Sequence, residues 1–183
     1  MLRVILFSLL ALVVVFVVAH SLGLTPEQIE DQILLADINA EEGAAYREAN
    51  AREPGVVTTA NGLQIEVLLA GDGPVPREDD WVQVHYRGMH IDGREFENSW
   101  RKREPATVAV ADTIPGWRQA LVSIPVGTRV RLVLPPELAY GRPGGGHIGP
   151  EETLVFELEL LAIVEPEQPR DRDEWEKPVP GLR

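Results

Sequence analysis

The sequence predicts an α+β domain, an antiparallel sheet packed on one short helix, with a second helix and a hydrophobic segment before it. Four stretches alternate apolar and polar residues with a period of two, as half-buried strands do. Between these stretches, only residues 116–124 carry apolar side chains at helical spacing: Trp117, Ala120, Leu121 and Ile124. The apolar stripe of such a helix covers one face of the sheet and leaves the other face in water.

Residues 4–19 form a hydrophobic segment that is interrupted only by Ser8. Together with residues 20–24 it would rise about 31 Å as a helix, which matches the hydrocarbon core of a bilayer. One interpretation is an uncleaved transmembrane anchor over residues 1–24, and the other is a secretory signal cleaved near Ala19 or Ser21. We favour the anchor, because the apolar run is longer than the ~7–15 residues of a signal core. With Arg3 as the only basic residue before Arg47, both interpretations place the body outside the cytoplasm.

Residues 25–54 are interpreted as an acidic helical segment and linker, with eight acidic and two basic side chains. Thr25 is a suitable N-cap, Pro26 suits the first helical position and Gln28 completes a capping box. The helix is expected to run to about Glu48, although Gly43 weakens it. Its narrow apolar stripe consists of Ile29, Ile33, Leu34, Ile38 and Ala45. Either this stripe pairs with a second helix, as in a homodimer formed through residues 26–50, or the helix only spaces the domain from the membrane. We favour the spacer.

The strand pattern begins after a linker at residues 52–62 that is rich in turn formers. The four alternating stretches lie at residues 63–69, 82–87, 129–134 and 154–160. In the first stretch, the residues expected to face the core are Leu63, Ile65, Val67 and Leu69. Together the stretches define a domain at about residues 55–165. The tail at residues 166–183 is dense in charge and proline and is predicted to be disordered.

Composition excludes several classes of function. The net charge of −12 argues against nucleic acid as a partner, because such binding relies on clustered Lys and Arg. Cysteine is absent and the four histidines are scattered without metal-ligand spacing, so neither a disulfide nor a metal site is expected. There is no G-x-S-x-G motif, and the glycine-rich run at residues 141–147 lacks the Lys-Ser/Thr ending of a phosphate loop. If the domain is an enzyme, we expect it to work without metal, cofactor or nucleophile.

Four sequence blocks carry a resemblance to a known family. They are VHYRGMHIDGREFENS at residues 84–99, IPGW at 114–117, LAYG at 138–141 and TLVFELELL at 153–161. In this order and at this spacing they resemble the FK506-binding-protein (FKBP) type of peptidyl-prolyl cis-trans isomerase, over residues 57–164. The upstream helix and GVVTTANGL at residues 55–63 are similar to the macrophage-infectivity-potentiator branch from bacterial envelopes. The resemblance implies five or six antiparallel strands wrapped around one short helix, with a hydrophobic pocket between them.

The resemblance also implies which residues form that pocket. The substrate-binding set is expected to be Thr113, Trp117, Ile148 and Val108, with the indole as the floor. The set expected to carry catalysis is Tyr86, Phe96, Glu97, Ile114, Tyr140 and Phe156. In the family, the backbone N–H at the position of Ile114 and the hydroxyl at that of Tyr140 hold the carbonyl groups of the substrate.

Four positions depart from the family pattern. The carboxylate beside the aromatic wall is usually Asp and here is Glu97, which we expect to position Tyr86 or to polarise the pocket edge. Ala106 and Val108 stand where eukaryotic members commonly carry aromatic residues. In the glycine-rich loop, His147 stands where an aliphatic residue is common.

The leading hypothesis is an isomerase of X-Pro bonds that acts on unfolded client polypeptides and assists their folding. Its expected location is the periplasmic face of the inner membrane, or the soluble periplasm if residues 1–21 are removed. The alternative is a membrane-tethered peptide-binding module or chaperone without turnover. A third hypothesis, a helix-mediated structural protein, rests only on residues 26–50.

Overall fold

The computed structural model describes residues 25–165. The predicted anchor or signal at residues 1–24 and the predicted disordered tail at residues 166–183 both lie outside that range. From residue 25 to residue 165, no helix is both long enough and apolar enough to cross a membrane.

Helix α1 spans Pro26–Asn50 and begins with the predicted capping box. The Gln28 N–H donates to the Thr25 hydroxyl oxygen at 3.2 Å, and the Gln28 side chain accepts from the Thr25 N–H at 2.8 Å. These two bonds satisfy donors that the first turn of a helix leaves unpaired. The helix continues slightly past the predicted end at Glu48, to Asn50, where the Asn50 amide donates to Gln64 Oε1 at 2.7 Å.

The C-terminal half of α1 lies against the sheet domain. The Arg47 guanidinium donates to Thr153 Oγ1, and Gln64 Nε2 donates to the Arg47 carbonyl at 2.7 Å. Gly43 is buried in this contact, and a Cβ atom there would overlap Thr153 Oγ1. Glycine at this position therefore lets the helix approach the domain closely, at the cost in helix propensity that the sequence indicated.

The apolar stripe of α1 is turned away from the domain. Three of its members, Ile33, Leu34 and Ile38, are 43–59% accessible to solvent, and the neighbouring Leu35 is 41% accessible. Small and polar side chains take the docked face instead, and Ala36 is its one apolar member of the buried core. Pairing of the stripe with a second helix stays a prediction.

Within residues 25–165, seven antiparallel strands form one sheet in the order β1-β2-β6-β7-β3-β4, with β5 beside the first half of β3. The strands are β1 Val56–Thr58, β2 Gln64–Leu69, β3 Trp81–His90, β4 Glu95–Asn98, β5 Ala106–Ala109, β6 Arg129–Leu134 and β7 Leu154–Val164. The expectation of five or six strands is therefore wrong. The segment interpreted as a linker contains β1, which is only three residues long and pairs with β2.

The expected burial of β2 is correct at its start and wrong at its end. Leu63 is fully buried, but Val67 is 55% and Leu69 is 58% exposed. Pairing with β1 stops at Glu66, so the last residues of β2 lie at the open edge of the sheet. The register against β6 also shifts between Val67 and Leu69. Alternation in the sequence shows which side chains share a face, but not how far that face is covered.

Helix α3, Pro115–Leu121, covers the dry face of the sheet. It is shorter than the predicted 116–124, although Ile124 is still only 5% exposed. A Cβ atom on Gly116 would overlap the Leu134 side chain, so glycine lets the start of the helix approach β6 closely. A further short helix, α2 Ser99–Lys102, follows β4, where the periodicity had indicated none.

Around Glu157 the opposite face of the sheet is polar, as predicted. Arg87 and Arg129 each donate to the Glu157 carboxylate, at 2.5 and 2.7 Å. Burial acts to raise the pKa of Glu157, but the hydrogen bonds from the two guanidinium groups outweigh it and hold that pKa below its ordinary value.

Candidate active site

A cavity of about 500 Å³ is bordered by β3, β4, β5, β7, α3 and the loop before β7. All ten residues that the sequence indicated border it: Tyr86, Phe96, Glu97, Val108, Thr113, Ile114, Trp117, Tyr140, Ile148 and Phe156. They come from six separate segments, so only the folded sheet brings them together.

The Trp117 indole is both part of the core and part of the cavity surface. It is 7% exposed, and it meets the edges of Tyr86 and Phe156 at centroid distances of 4.9 and 5.4 Å. Phe96 lies edge-on to Phe156 at 5.7 Å. Edge-to-face contacts of this kind suit the quadrupoles of aromatic rings and hold them in fixed orientations. The result is a rigid aromatic floor and wall.

Gly88 on β3 makes room for this wall. A Cβ atom at that position would overlap the Phe96 ring and lie 2.9 Å from the Phe156 ring. The two phenylalanines therefore pack directly over the backbone of β3, and any larger residue at position 88 would push them into the cavity.

Tyr86 is held by a side chain that the sequence analysis did not single out. β3 pairs with β5 up to Val84 and with β4 from Arg87, which leaves a gap beside Tyr86. Ser99 fills this gap, because its Oγ accepts the Tyr86 N–H at 2.8 Å and lies 3.1 Å from the Tyr86 carbonyl oxygen. The buried hydroxyl thus replaces a strand partner and fixes the backbone that carries the Tyr86 ring.

Several hydrogen-bond donors at the cavity have no partner among residues 25–165. The Ile114 N–H and the Tyr86 and Tyr140 hydroxyls make no hydrogen bond there, and the buried Trp117 Nε1 has none either. Tyr140 is 42% exposed, as expected for a side chain that faces an opening. Burial raises the pKa of the Tyr86 hydroxyl and the Glu97 carboxylate raises it further, so this phenol remains a donor at neutral pH.

Glu97 does not hold Tyr86 directly. Its carboxylate accepts from Lys102 Nζ, and no hydrogen bond joins it to Tyr86 in the part of the chain that the structure describes. Its negative charge still raises the pKa of Tyr86. Of the two roles expected for Glu97, this geometry favours polarisation of the pocket edge.

Five further residues border the cavity: Ala106, Ala109, Asp112, Gly145 and His147. Ala106 and His147 were noticed only as departures from the family pattern. Ala109 and Asp112 were missed, because a small side chain and a single acidic residue carry no periodic signal. Their position follows from the pairing of β5 with β3 and from the 3-10 turn Val110–Asp112 that follows it.

Fold and cavity together define a class of protein, and the chain belongs to the FKBP-type peptidyl-prolyl cis-trans isomerase family. The profile of that family matches residues 73–161, and the profile of the domain amino-terminal to FKBP-type isomerases matches residues 22–67. The second match includes the helix and the linker. The predicted family is therefore confirmed.

Among individual relatives, the FKBP-type isomerase FkpA of Escherichia coli strain K12 is 46% identical over 125 residues, which are 68% of this chain and 46% of FkpA. The Outer membrane protein MIP of Legionella longbeachae is 41% identical over 129 residues, 70% of this chain and 55% of that protein. The crystal structure of E. coli FkpA superposes with a TM-score of 0.68 at 36% identity, covering 84% of this chain and 81% of that one. The chain thus spans about half the length of these two curated relatives.

Proposed function

We propose that this protein accelerates the cis-trans isomerisation of X-Pro peptide bonds in unfolded or partly folded polypeptides. The observation that supports this most directly is the cavity, in which an aromatic floor and wall adjoin hydrogen-bond donors that are unpaired among the described residues. A proline ring fits an apolar surface of this kind, and the carbonyl groups beside it are acceptors for such donors.

The physical basis is the loss of conjugation during rotation. An amide rotates over a barrier of ~18–20 kcal/mol, which makes uncatalysed X-Pro isomerisation slow. The twisted amide is less delocalised than the planar one, so a dry cavity favours it over the ground state. An acceleration of about 10⁵-fold requires about 7 kcal/mol of such preference.

The proposed roles follow from what each group can offer. Trp117, Phe96 and Phe156 supply the apolar surface that receives the proline ring and excludes water. The Ile114 N–H and the Tyr140 hydroxyl are available to hold carbonyl groups of the substrate on either side of the rotating bond. No proton is transferred in the reaction, so Glu97 is not required as a base.

The proposal is tested with a protease-coupled assay on a short Xaa-Pro peptide, in which the protease cleaves only the trans form. We expect the purified protein to accelerate the slow phase in proportion to its concentration. A protein that binds the peptide and leaves the slow phase unchanged would instead be a peptide-binding module or chaperone. Ala106 and Val108 favour that second function, because small side chains leave this side of the cavity wider than aromatic residues would.

Replacing Tyr140 with phenylalanine is expected to reduce kcat/KM modestly, by about two- to tenfold, because one hydrogen bond of ~0.5–1.5 kcal/mol is lost. The hydroxyl makes no hydrogen bond to residues 25–165, so the midpoint of thermal unfolding should stay the same. The assay and a circular-dichroism melt measure the two quantities. Loss of cooperative unfolding would show instead that Tyr140 is structural.

We further propose that residues 1–24 anchor the protein at the periplasmic face of the inner membrane. The apolar run supports an anchor, and the name of the Legionella relative supports an envelope location. Sedimentation of cell fractions should place the protein with membranes, and N-terminal sequencing should start at Met1. A mature protein that begins near His20 or Leu22 would contradict the anchor and leave a soluble enzyme.

The exposed stripe of α1 supports one further proposal, that two copies of the chain pair through residues 26–50. Light scattering of the detergent-solubilised protein gives the molecular mass that tests this pairing. The mass of a single chain at micromolar concentration would contradict it.

A further inference from the structure

The loop between the 3-10 turn Pro136–Leu138 and strand β7 carries one side of the cavity rim, with Tyr140 and Ile148. Its own backbone bonds hold it together as a unit. Gly145 and Ile148 form an isolated bridge, with N···O distances of 2.9 and 3.0 Å. The Glu151 N–H donates to the Gly141 carbonyl at 3.3 Å, which closes the loop. A shift at one end of this loop would therefore also move Tyr140 and Ile148 at the rim of the cavity.

Helix α1 holds the far side of the same loop. Asn39 Nδ2 donates to the carbonyl of Pro150 at 2.8 Å, and Pro150 is buried. The neighbouring Gly149 N–H donates to Glu152 Oε2 at 2.7 Å. A Cβ atom on Gly149 would lie 2.9 Å from Asn39 Nδ2, so a larger residue at this position would displace the Asn39 amide. Gly43, on the helix side, permits the same close approach one helical turn further along.

From these contacts we infer that Asn39 is a positioning residue for the substrate site, although no residue of α1 borders the cavity. By holding the Pro150 carbonyl, it sets the place of Ile148, two residues earlier, and through the closed loop that of Tyr140. Docking of the N-terminal helix thus influences how the domain binds a client. The effect on catalysis rests on the isomerase function proposed above; the effect on the loop does not.

The test replaces the donor without changing the size of the side chain. In Asn39→Asp, a carboxylate faces the Pro150 carbonyl, so the hydrogen bond is lost and a buried acceptor is left unpaired. Asn39→Ala removes the donor without adding charge. The matched control is Gln32→Glu, which makes the same amide-to-carboxylate change two turns earlier on the helix, at an exposed side chain that makes no hydrogen bond within residues 25–165.

The expected result has two parts. In both Asn39 variants, hydrogen exchange should quicken in peptides from residues 141–150 and stay unchanged in peptides from β6. KM for the Xaa-Pro peptide should rise about fivefold with kcat little changed, because a displaced rim weakens binding of the substrate and of the transition state alike. Gln32→Glu should match the wild type in both measurements.

Unchanged exchange in residues 141–150 in both Asn39 variants would overturn the inference. It would also be overturned if kcat, KM and the melting midpoint all shifted together in both variants, since the contact would then serve only stability. If the wild type shows no turnover, the proposed function fails. Exchange in the loop and the affinity for the Xaa-Pro peptide, measured by the change in the protein's tryptophan fluorescence when the peptide is added, would then decide the inference separately.

Discussion

Replacing Trp117 with leucine is expected to lower kcat/KM at least about tenfold while the protein still unfolds cooperatively. The indole is the flat surface at the base of the cavity, held edge-to-face by Tyr86 and Phe156. Leucine keeps an apolar side chain in the core but not the planar face on which a proline ring packs. A tenfold loss corresponds to about 1.4 kcal/mol of transition-state stabilisation. The assay gives the rate, and urea unfolding gives the folded fraction to which it is normalised.

The same variant separates a core role from a site role, because Trp117 is only 7% exposed and so contributes to both. If the indole only fills the core, stability falls while each folded molecule remains as active as the wild type. Such a result would contradict the assignment of Trp117 as the floor of the site.

Leu121→Ala is expected to do the reverse, lowering the free energy of unfolding by about 2–5 kcal/mol with near-normal activity per folded molecule. Leu121 lies on the same helix about one turn beyond Trp117, is fully buried and does not border the cavity. Removing its side chain leaves a void between α3 and the sheet, and the neighbours relax into it only in part. Denaturant unfolding measures the loss directly.

A rate per folded molecule that falls as far in Leu121→Ala as in Trp117→Leu would contradict this division of roles. It would mean that any loosening of α3 disables the site. The two substitutions together therefore distinguish a specific aromatic surface from general rigidity of the helix.

The sequence was sufficient to predict the features that depend on residues close together in the chain. The capping box at Thr25 and Gln28 forms as expected, because its bonds join residues three positions apart. The alternation in β6 and β7 also predicts burial correctly, since Val130, Leu132, Leu154 and Leu158 are all fully buried. These strands lie in the middle of the sheet, where the face under α3 is fully covered. The alternation did not indicate that Val133 and Val155, on the other face, are buried as well.

Features that depend on another element of the fold were not predictable in this way. Val67 and Leu69 continue the apolar alternation of β2, yet both are exposed because β1 ends before it reaches them. Glu97 was expected to position Tyr86 or to polarise the pocket edge, and its ion pair with Lys102 depends on a short helix that the periodicity had not indicated. In each case the deciding residue belongs to another element.

The sequence by itself determined the α+β class and the dry face of the sheet through side-chain alternation, and the family through motif order. The family resemblance in turn indicated ten of the fifteen residues that border the cavity. Only the tertiary structure decided how far the apolar face of the sheet is buried and where two elements pack closely together. Gly43 looked like a defect in a helix, and its place against Thr153 explains it. Whether two elements can pack closely depends on the side chains of both, so the sequence of one element alone does not show it.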